Sequence, residues 1–223
     1  MRPRRLEVTF NASGAADAGA RGRVVAVVDV VDSATSAEAA VAAGAAEVLG
    51  AAPAGMRVPA RVDPGAVGRR AAASAGRVGG EVIVVAEPRV GTDEERRARC
   101  LPVLQALRTA RVEYLLVPNQ GAELPHLVEV TDRVVVVVST TGGTAFDAAL
   151  TAGAPAVSFA TTGRVEDLTG WEVAHMGAQR AIALAEEHEA HLTVVAATAN
   201  STDDVLGAFE VARAVIAQGF LRL

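Results

Sequence analysis

Apolar positions along this chain fall into short runs, separated by polar, glycine-rich turns and by alanine-rich stretches of helical period. The strongest run is Val134–Val138, five consecutive β-branched residues of the kind seen in a strand buried on both faces. Ser139, Thr140, Thr141, Gly142, Gly143 and Thr144 follow at once, then a helical pattern carried by Phe146, Ala149 and Leu150 and closed by Gly153. Residues 24–31 read as a second strong strand, interrupted by Asp29. It leads through the polar turn 32–36 into a helix over 37–43 that Gly44 ends. Further strands are predicted at 6–11, 47–50, 82–86, 114–117 and 192–197. Residues 12–23 read as a small-residue loop, and 51–80 as loop and helix rich in Pro, Gly and Arg. Thr92 with Glu95 has the spacing of a capping box opening a helix to about Thr109. Helices are also expected over 173–190 and 205–218, the latter after a third polar turn at 198–204. Strands alternating with helices predict a layered α/β/α architecture.

Residues 35–48 lie over residues 144–157 without a gap, at an offset of 109 positions. Thr, the acidic residue, Ala-Ala, an aliphatic residue, Gly and Val all coincide. Low complexity inflates such matches in an alanine-rich chain, but the non-alanine coincidences favour a duplicated strand–turn–helix–strand unit. Two halves, 1–118 and 119–223, are expected to pack as one compact unit. The turns at 32–36 and 139–144 then become equivalent places.

Composition narrows the function classes. Apolar residues make up 51% but aromatic residues only 3%, so burial must come from many small side chains in close packing. Every basic residue is arginine, and the net charge of −5 with no basic stripe argues against nucleic-acid binding. Arg2, Arg4 and Arg5 read as solvated terminal charges. No apolar run approaches the roughly 20 residues of a membrane span, and no signal peptide precedes the first strand. The lone Cys100 excludes a disulfide framework and cysteine-based zinc sites. A soluble, cytoplasmic protein is the expectation, and its Ala/Val-rich surface suits a homodimer.

Three segments, in this order and spacing, resemble the 2-phosphosulfolactate phosphatase family. Val27-Val-Asp-Val-Val-Asp-Ser-Ala-Thr-Ser36 looks like the family's strand-Asp-x-x-Arg-Ala-Thr/Ser-Thr segment. Ser139-Thr-Thr-Gly-Gly-Thr144 is similar to its Thr-Thr-Asn-Gly-Thr turn. Val194-Val-Ala-Ala-Thr198 with Asp203-Asp204 is similar to its Ala-Gly-Thr strand end and acidic helix start. Glu87-Pro-Arg89 stands for its Gly-Glu-Arg stretch. Residues 52–78 and 92–130 have no counterpart. The resemblance implies an α/β/α fold and Mg²⁺-dependent hydrolysis of a small phosphate monoester. Two positions depart from it: the family arginine falls on Asp32, and the family asparagine on Gly142. The first replaces a bidentate phosphate ligand with an anion.

The residues themselves suggest where such chemistry would sit. Asp29 lies late in a buried strand, where a carboxylate must be paired, hydrogen-bonded or on a metal. It is a candidate Mg²⁺ ligand and catalytic group, or else a cap on neighbouring amides. Asp32, Asp203 and Asp204 add carboxylates, with Asp204 a second candidate metal ligand and Asp203 or Asp204 equally a first-turn acid favoured by the helix dipole. Thr140, Thr141, Gly142, Gly143 and Thr144 form a candidate phosphate cradle or an ordinary N-cap, and Thr35 and Ser36 carry the same two readings. Glu87 is a candidate general acid or base and Arg89 a candidate phosphate clamp, with Arg164 the substitute. His126, His175, His188 and His191 lack metal-ligand spacing, and Trp171 reads as a packing anchor. No Walker, GxGxxG or GxSxG motif is present. Two functions remain: a Mg²⁺-dependent phosphatase acting on a small anionic phosphate ester, and a non-catalytic ligand-binding or assembly protein of the same fold.

Overall fold

A computed structural model describes residues 4–221, so Arg2 lies outside the described residues. The chain runs β1 (Leu6–Phe10), α1 (Asn11–Ala20), β2 (Val24–Val28), α2 (Ser33–Ala42), β3 (Glu47–Ala51), α3 (Pro64–Val78), β4 (Val82–Ala86), α4 (Asp93–Thr109) and β5 (Tyr114–Pro118). A short 3-10 turn and α5 (Leu124–Leu127) lead to β6 (Val134–Val138), α6 (Gly142–Thr151), β7 (Val157–Ala160), α7 (Trp171–Glu187), β8 (Leu192–Ala196) and α8 (Thr202–Ala217). One expectation fails at the start, where residues 11–20 form a helix and not a loop. Its small residues are there for contact: a Cβ on Gly19 would stand 2.4 Å from the Ala149 carbonyl oxygen of α6. The capping box does form, with Glu95 N donating to Thr92 Oγ1 and Thr92 N to Glu95 Oε2.

All strands pair in parallel, in two four-stranded sheets ordered β1-β8-β2-β7 and β3-β6-β4-β5. Helices α7 and α8 cover one face of the first sheet, while α3 and α4 pack against strands of the second. Helices α1, α2 and α6 lie between the sheets, so each sheet is an α/β/α sandwich sharing its inner helical layer with the other. Strand β2 shows this directly. Val25 and Val27 join the cluster that holds α1, α2 and the second sheet, whereas Val24, Ala26 and Val28 face α7 and α8.

Reversing the second sheet gives β5-β4-β6-β3, which matches β1-β8-β2-β7 place for place. The duplication therefore covers the whole fold, with β1 at the amino end filling the place a strand after α8 would take. Each repeat sends its two strands to different sheets: β2 and β7 pair in one, β6 and β3 in the other. Neither sheet is confined to one side of residue 118. Helices α2 and α6, of period-matched residues, are buried over 33–40 and 142–149 respectively, a consequence of having a sheet on either side. The repeats differ in one packing exchange. Phe146 and Phe159 stack at 5.0 Å between ring centroids, and their equivalents in the first repeat are Ala37 and Gly50. A Cβ on Gly50 would meet both rings at 2.7–2.8 Å, so the small pair makes room for the large one.

The surface holds further corrections. Arg4 is no free terminal charge: it pairs with Glu186 at 2.7 Å and lies over the Phe220 ring at 5.2 Å. Trp171 is 38% exposed at the start of α7, with Arg213 stacked on it at 4.6 Å, so it anchors no core. Cys100 is buried, which pushes its thiol up to about 12 and keeps it protonated. Among the described residues no helix is long and apolar enough to cross a membrane.

Candidate functional site

In parallel sheets the loops at the carboxyl ends of the strands build the ligand site. Here β2 and β6, central strands of the two sheets, end beside one another. The residue after β2 is Asp29, 1% exposed. Its Oδ2 accepts from Ser33 Oγ at 2.7 Å, from Gly142 N at 2.7 Å and from Thr141 Oγ1, so the turn of one repeat grips the acid of the other. Its Oδ1 is buried and has no partner. Burial raises the Asp29 carboxyl above its ordinary range, opposed by those three donors. Gly142 is required by the approach: a Cβ there would stand 2.2 Å from Ser33 Oγ and 2.8 Å from Asp29 Oδ2. The family asparagine has no room at this position.

Two further carboxyls gather at this end. Asp204, on the first turn of α8, is 3% exposed and accepts from Val30 N at 2.9 Å; burial, with Asp29 adding repulsion, pushes it up to about 6. Glu87, after β4, accepts from Thr140 N and Thr140 Oγ1, both at 3.2 Å, and is raised by burial and again by Asp29. Arg99 Nη2 lies 3.6 Å from Glu87 Oε2. Asp203 is exposed and belongs to the helix start alone.

The proposed cations and cradle behave otherwise than expected. Arg89 pairs with Asp32 at 2.7 Å, and its Nε donates to Asn119 O at 3.2 Å. The clamp and the acid in the arginine place thus neutralise each other. Arg164 pairs with Glu123, on a different loop. In the 139–144 turn, donors needed to cradle a phosphate are already engaged: Thr140 N on Glu87, Gly142 N on Asp29, and Gly143 N on Ser139 Oγ at 2.7 Å. The turn binds anionic oxygen, but the oxygen belongs to the protein's own carboxylates. Thr144 Oγ1 donates to Ser139 O at 3.1 Å, and its equivalent Thr35 Oγ1 donates to Val30 O at 2.7 Å and meets Thr161 Oγ1. Ser36 Oγ donates to Asn119 Oδ1. Thr35 and Ser36 are therefore tied inside the fold, a correction to their reading as phosphate ligands.

A cavity of about 280 Å³ opens beside this centre, lined by Asn11, Ser13, Thr140, Thr141, Thr144 and Thr198, with Val58 and Pro59 on the rim. A larger one, about 480 Å³, lies between the free edges of β3 and β7 and holds the Glu38–Arg180 ion pair. The smaller cavity is the one that touches the carboxyl centre, through Thr140 and Thr141.

A Mg²⁺ ion needs oxygen donors and keeps several waters. Asp29 Oδ1 fits as a single carboxylate ligand, being buried, unpartnered and fixed through its other oxygen. An all-protein cage does not fit: among the described residues no three His, Cys, Asp or Glu side chains are grouped to hold a metal. Asp204 is turned to the Val30 amide, so its part in such a site is a proposal and not a contact.

Sequence reading missed Asn11, Ser13 and Asn119. The signal was available: the equivalent edge strands β1 and β5 are each followed directly by asparagine. A scan against protein-family models and a search of curated proteins found no match to this chain.

Proposed function

We propose that the protein is a Mg²⁺-dependent hydrolase of small phosphate monoesters, its chemistry centred on Asp29. The observation that carries the reading is the Asp29 carboxylate, held by three donors on Oδ2 with Oδ1 buried and without a partner among the described residues, and close enough to Asp204 and Glu87 to raise both by repulsion. Leaving one buried acceptor bare costs about 1–3 kcal/mol, a cost expected at a site that completes itself with a ligand. A divalent cation there supplies positive charge to phosphoryl oxygens and acidifies a bound water. Ser33, Thr141 and Gly142 orient the Asp29 ligand. Glu87, its carboxyl raised by burial, takes a proton from the attacking water and returns it to the departing alcohol oxygen. Arg89 exchanges Asp32 for a phosphoryl oxygen, the substitution by which this chain replaces the family arginine.

The test is a magnesium titration by calorimetry together with a screen of phosphate esters, with and without the metal. Asp29→Asn keeps the donors' partner and removes the ligand charge, and should abolish both metal binding and turnover. Turnover that persists in this variant rejects the assignment.

A second reading is favoured by the Asp32–Arg89 pair and by the self-filled turn: a non-catalytic protein that binds a small ligand. It requires binding without turnover of any ester.

A further inference from the structure

The cavity beside the carboxyl centre has an unusual hydrogen-bond polarity. Six polar side chains line it, and every one is neutral. The three threonines on the 140–144 turn have already committed their hydroxyl protons: Thr140 to Glu87, Thr141 to Asp29, and Thr144 to Ser139 O. Toward the cavity these oxygens have only lone pairs to offer. On the opposite wall Asn11 Oδ1 accepts from Ala199 N at 2.9 Å, and Thr198 Oγ1 accepts from Asn200 N at 3.1 Å. That leaves the Asn11 amide NH₂ and the Thr198 and Ser13 hydroxyls as donors. The walls therefore present acceptors from the turn after β6 of one sheet and donors from the ends of β1 and β8 of the other, with no charged side chain among them.

Resting on the phosphate-ester reading above, we infer that the alcohol half of the substrate is an uncharged polyol seated in this cavity. Each hydroxyl of a polyol both donates and accepts, so it satisfies the threonine lone pairs and the opposite donors together. A carboxylate or sulfonate accepts only. It could take the Asn11, Ser13 and Thr198 donors, but it would leave the three threonine lone pairs unanswered and would place its charge beside the Asp29 and Glu87 carboxylates with no cation in the wall, so its hydration is only partly replaced. The cavity's 280 Å³ takes a four- or five-carbon polyol together with bridging waters. The chain thus selects against an anionic leaving group of the kind that the resembled family's name carries. Discrimination comes from unpaired polar groups on the wrong ligand, which is where binding sites achieve their largest ratios.

The test uses two esters of one carbon skeleton, erythritol 4-phosphate and 4-phosphoerythronate, which differ by a carboxylate at the far end. The intact protein with Mg²⁺ should show kcat/KM at least about tenfold higher for the erythritol ester. Equal or reversed values overturn the inference while leaving the hydrolase reading standing. Ser13→Lys, an exposed change on the cavity wall, should shrink the ratio by about tenfold; an unchanged ratio places the alcohol elsewhere and also overturns it. If neither ester is turned over, the wider ester screen decides the hydrolase reading by itself. Free erythritol then decides: saturation-transfer NMR signals that vanish on Thr198→Trp uphold the cavity assignment, and their absence from the unaltered protein rejects it.

Discussion

The two repeats place equivalent turns at the ends of β2 and β6, yet use them differently. The first turn, 29–32, is one residue longer than the second, 139–141, because the strands match at an offset of 110 and the helices at 109. The extra residue leaves Asp29 after the first strand where the second has Ser139. Ser139 bonds within its own turn, to Gly143 N; Asp29 reaches across to Thr141 and Gly142. One turn supplies the acid and the other its donors. Their shared feature is a scaffold device, the helical threonine that donates to the loop carbonyl five residues before it. A duplicated fold has thus made one asymmetric carboxyl centre from two similar turns, formed where they meet.

The comparison breaks hardest inside the helices, where Glu38 and Asp147 are equivalent buried acids with different partners. Asp147 accepts only from neutral donors, Ala52 N, Asp63 N and Thr151 Oγ1, whereas Glu38 depends on Arg180. Arg180→Leu should cost about 3–5 kcal/mol in urea unfolding at neutral pH, since it strands a buried carboxylate. No other change named here should cost as much. Glu38→Gln in the same background should recover a large part of it.

Next comes a pH effect. Asp204 titrates near 6 in the fold against 3.8 in an unstructured chain. An acid with a raised folded value binds more protons folded than unfolded, so stability falls as pH rises from about 4 to about 6 and is level above. The full conversion of that shift is about 3 kcal/mol. Urea unfolding at pH 4 and pH 7 in chelator should show the fall, and Asp204→Asn should flatten it. A variant with the same slope as the parent would assign the slope to Asp29 or Glu87 instead.

Smaller effects sharpen the cross-turn contact. Gly142→Ala sets a methyl against Ser33 Oγ and Asp29 and should destabilise by about 1–3 kcal/mol. Ser33→Ala removes one of three donors to Asp29 and should cost about 1 kcal/mol. Asp32→Asn, in a half-exposed pair, should change stability by less than about 1 kcal/mol while tightening inorganic phosphate binding several-fold. Looser phosphate binding in that variant would remove Arg89 from the site.

Much of this was legible in sequence because it rests on local physics. The valine run had to be a strand buried on both faces, Thr92 and Glu95 had to cap α4, and the 109-residue offset matched α2 to α6, although both helices begin inside the stretches read as polar turns, at Ser33 and Gly142. Asp29 stood out as a carboxylate in an apolar run. Helix α1 was not legible, because its glycines and alanines serve close contact with α6 and look like loop composition in isolation. Nor was the occupancy of the 139–144 turn. Sequence shows that its amides can bind an anion, but only the meeting of β2 and β6 in space shows that Asp29 and Glu87 already take them. The sequence by itself determined most of the elements, the duplication and the candidate acids, since propensity, period and burial act over a few neighbouring residues. The tertiary structure alone decided which donors remain free, because hydrogen bonds between residues more than a hundred positions apart depend on how the two sheets are brought together.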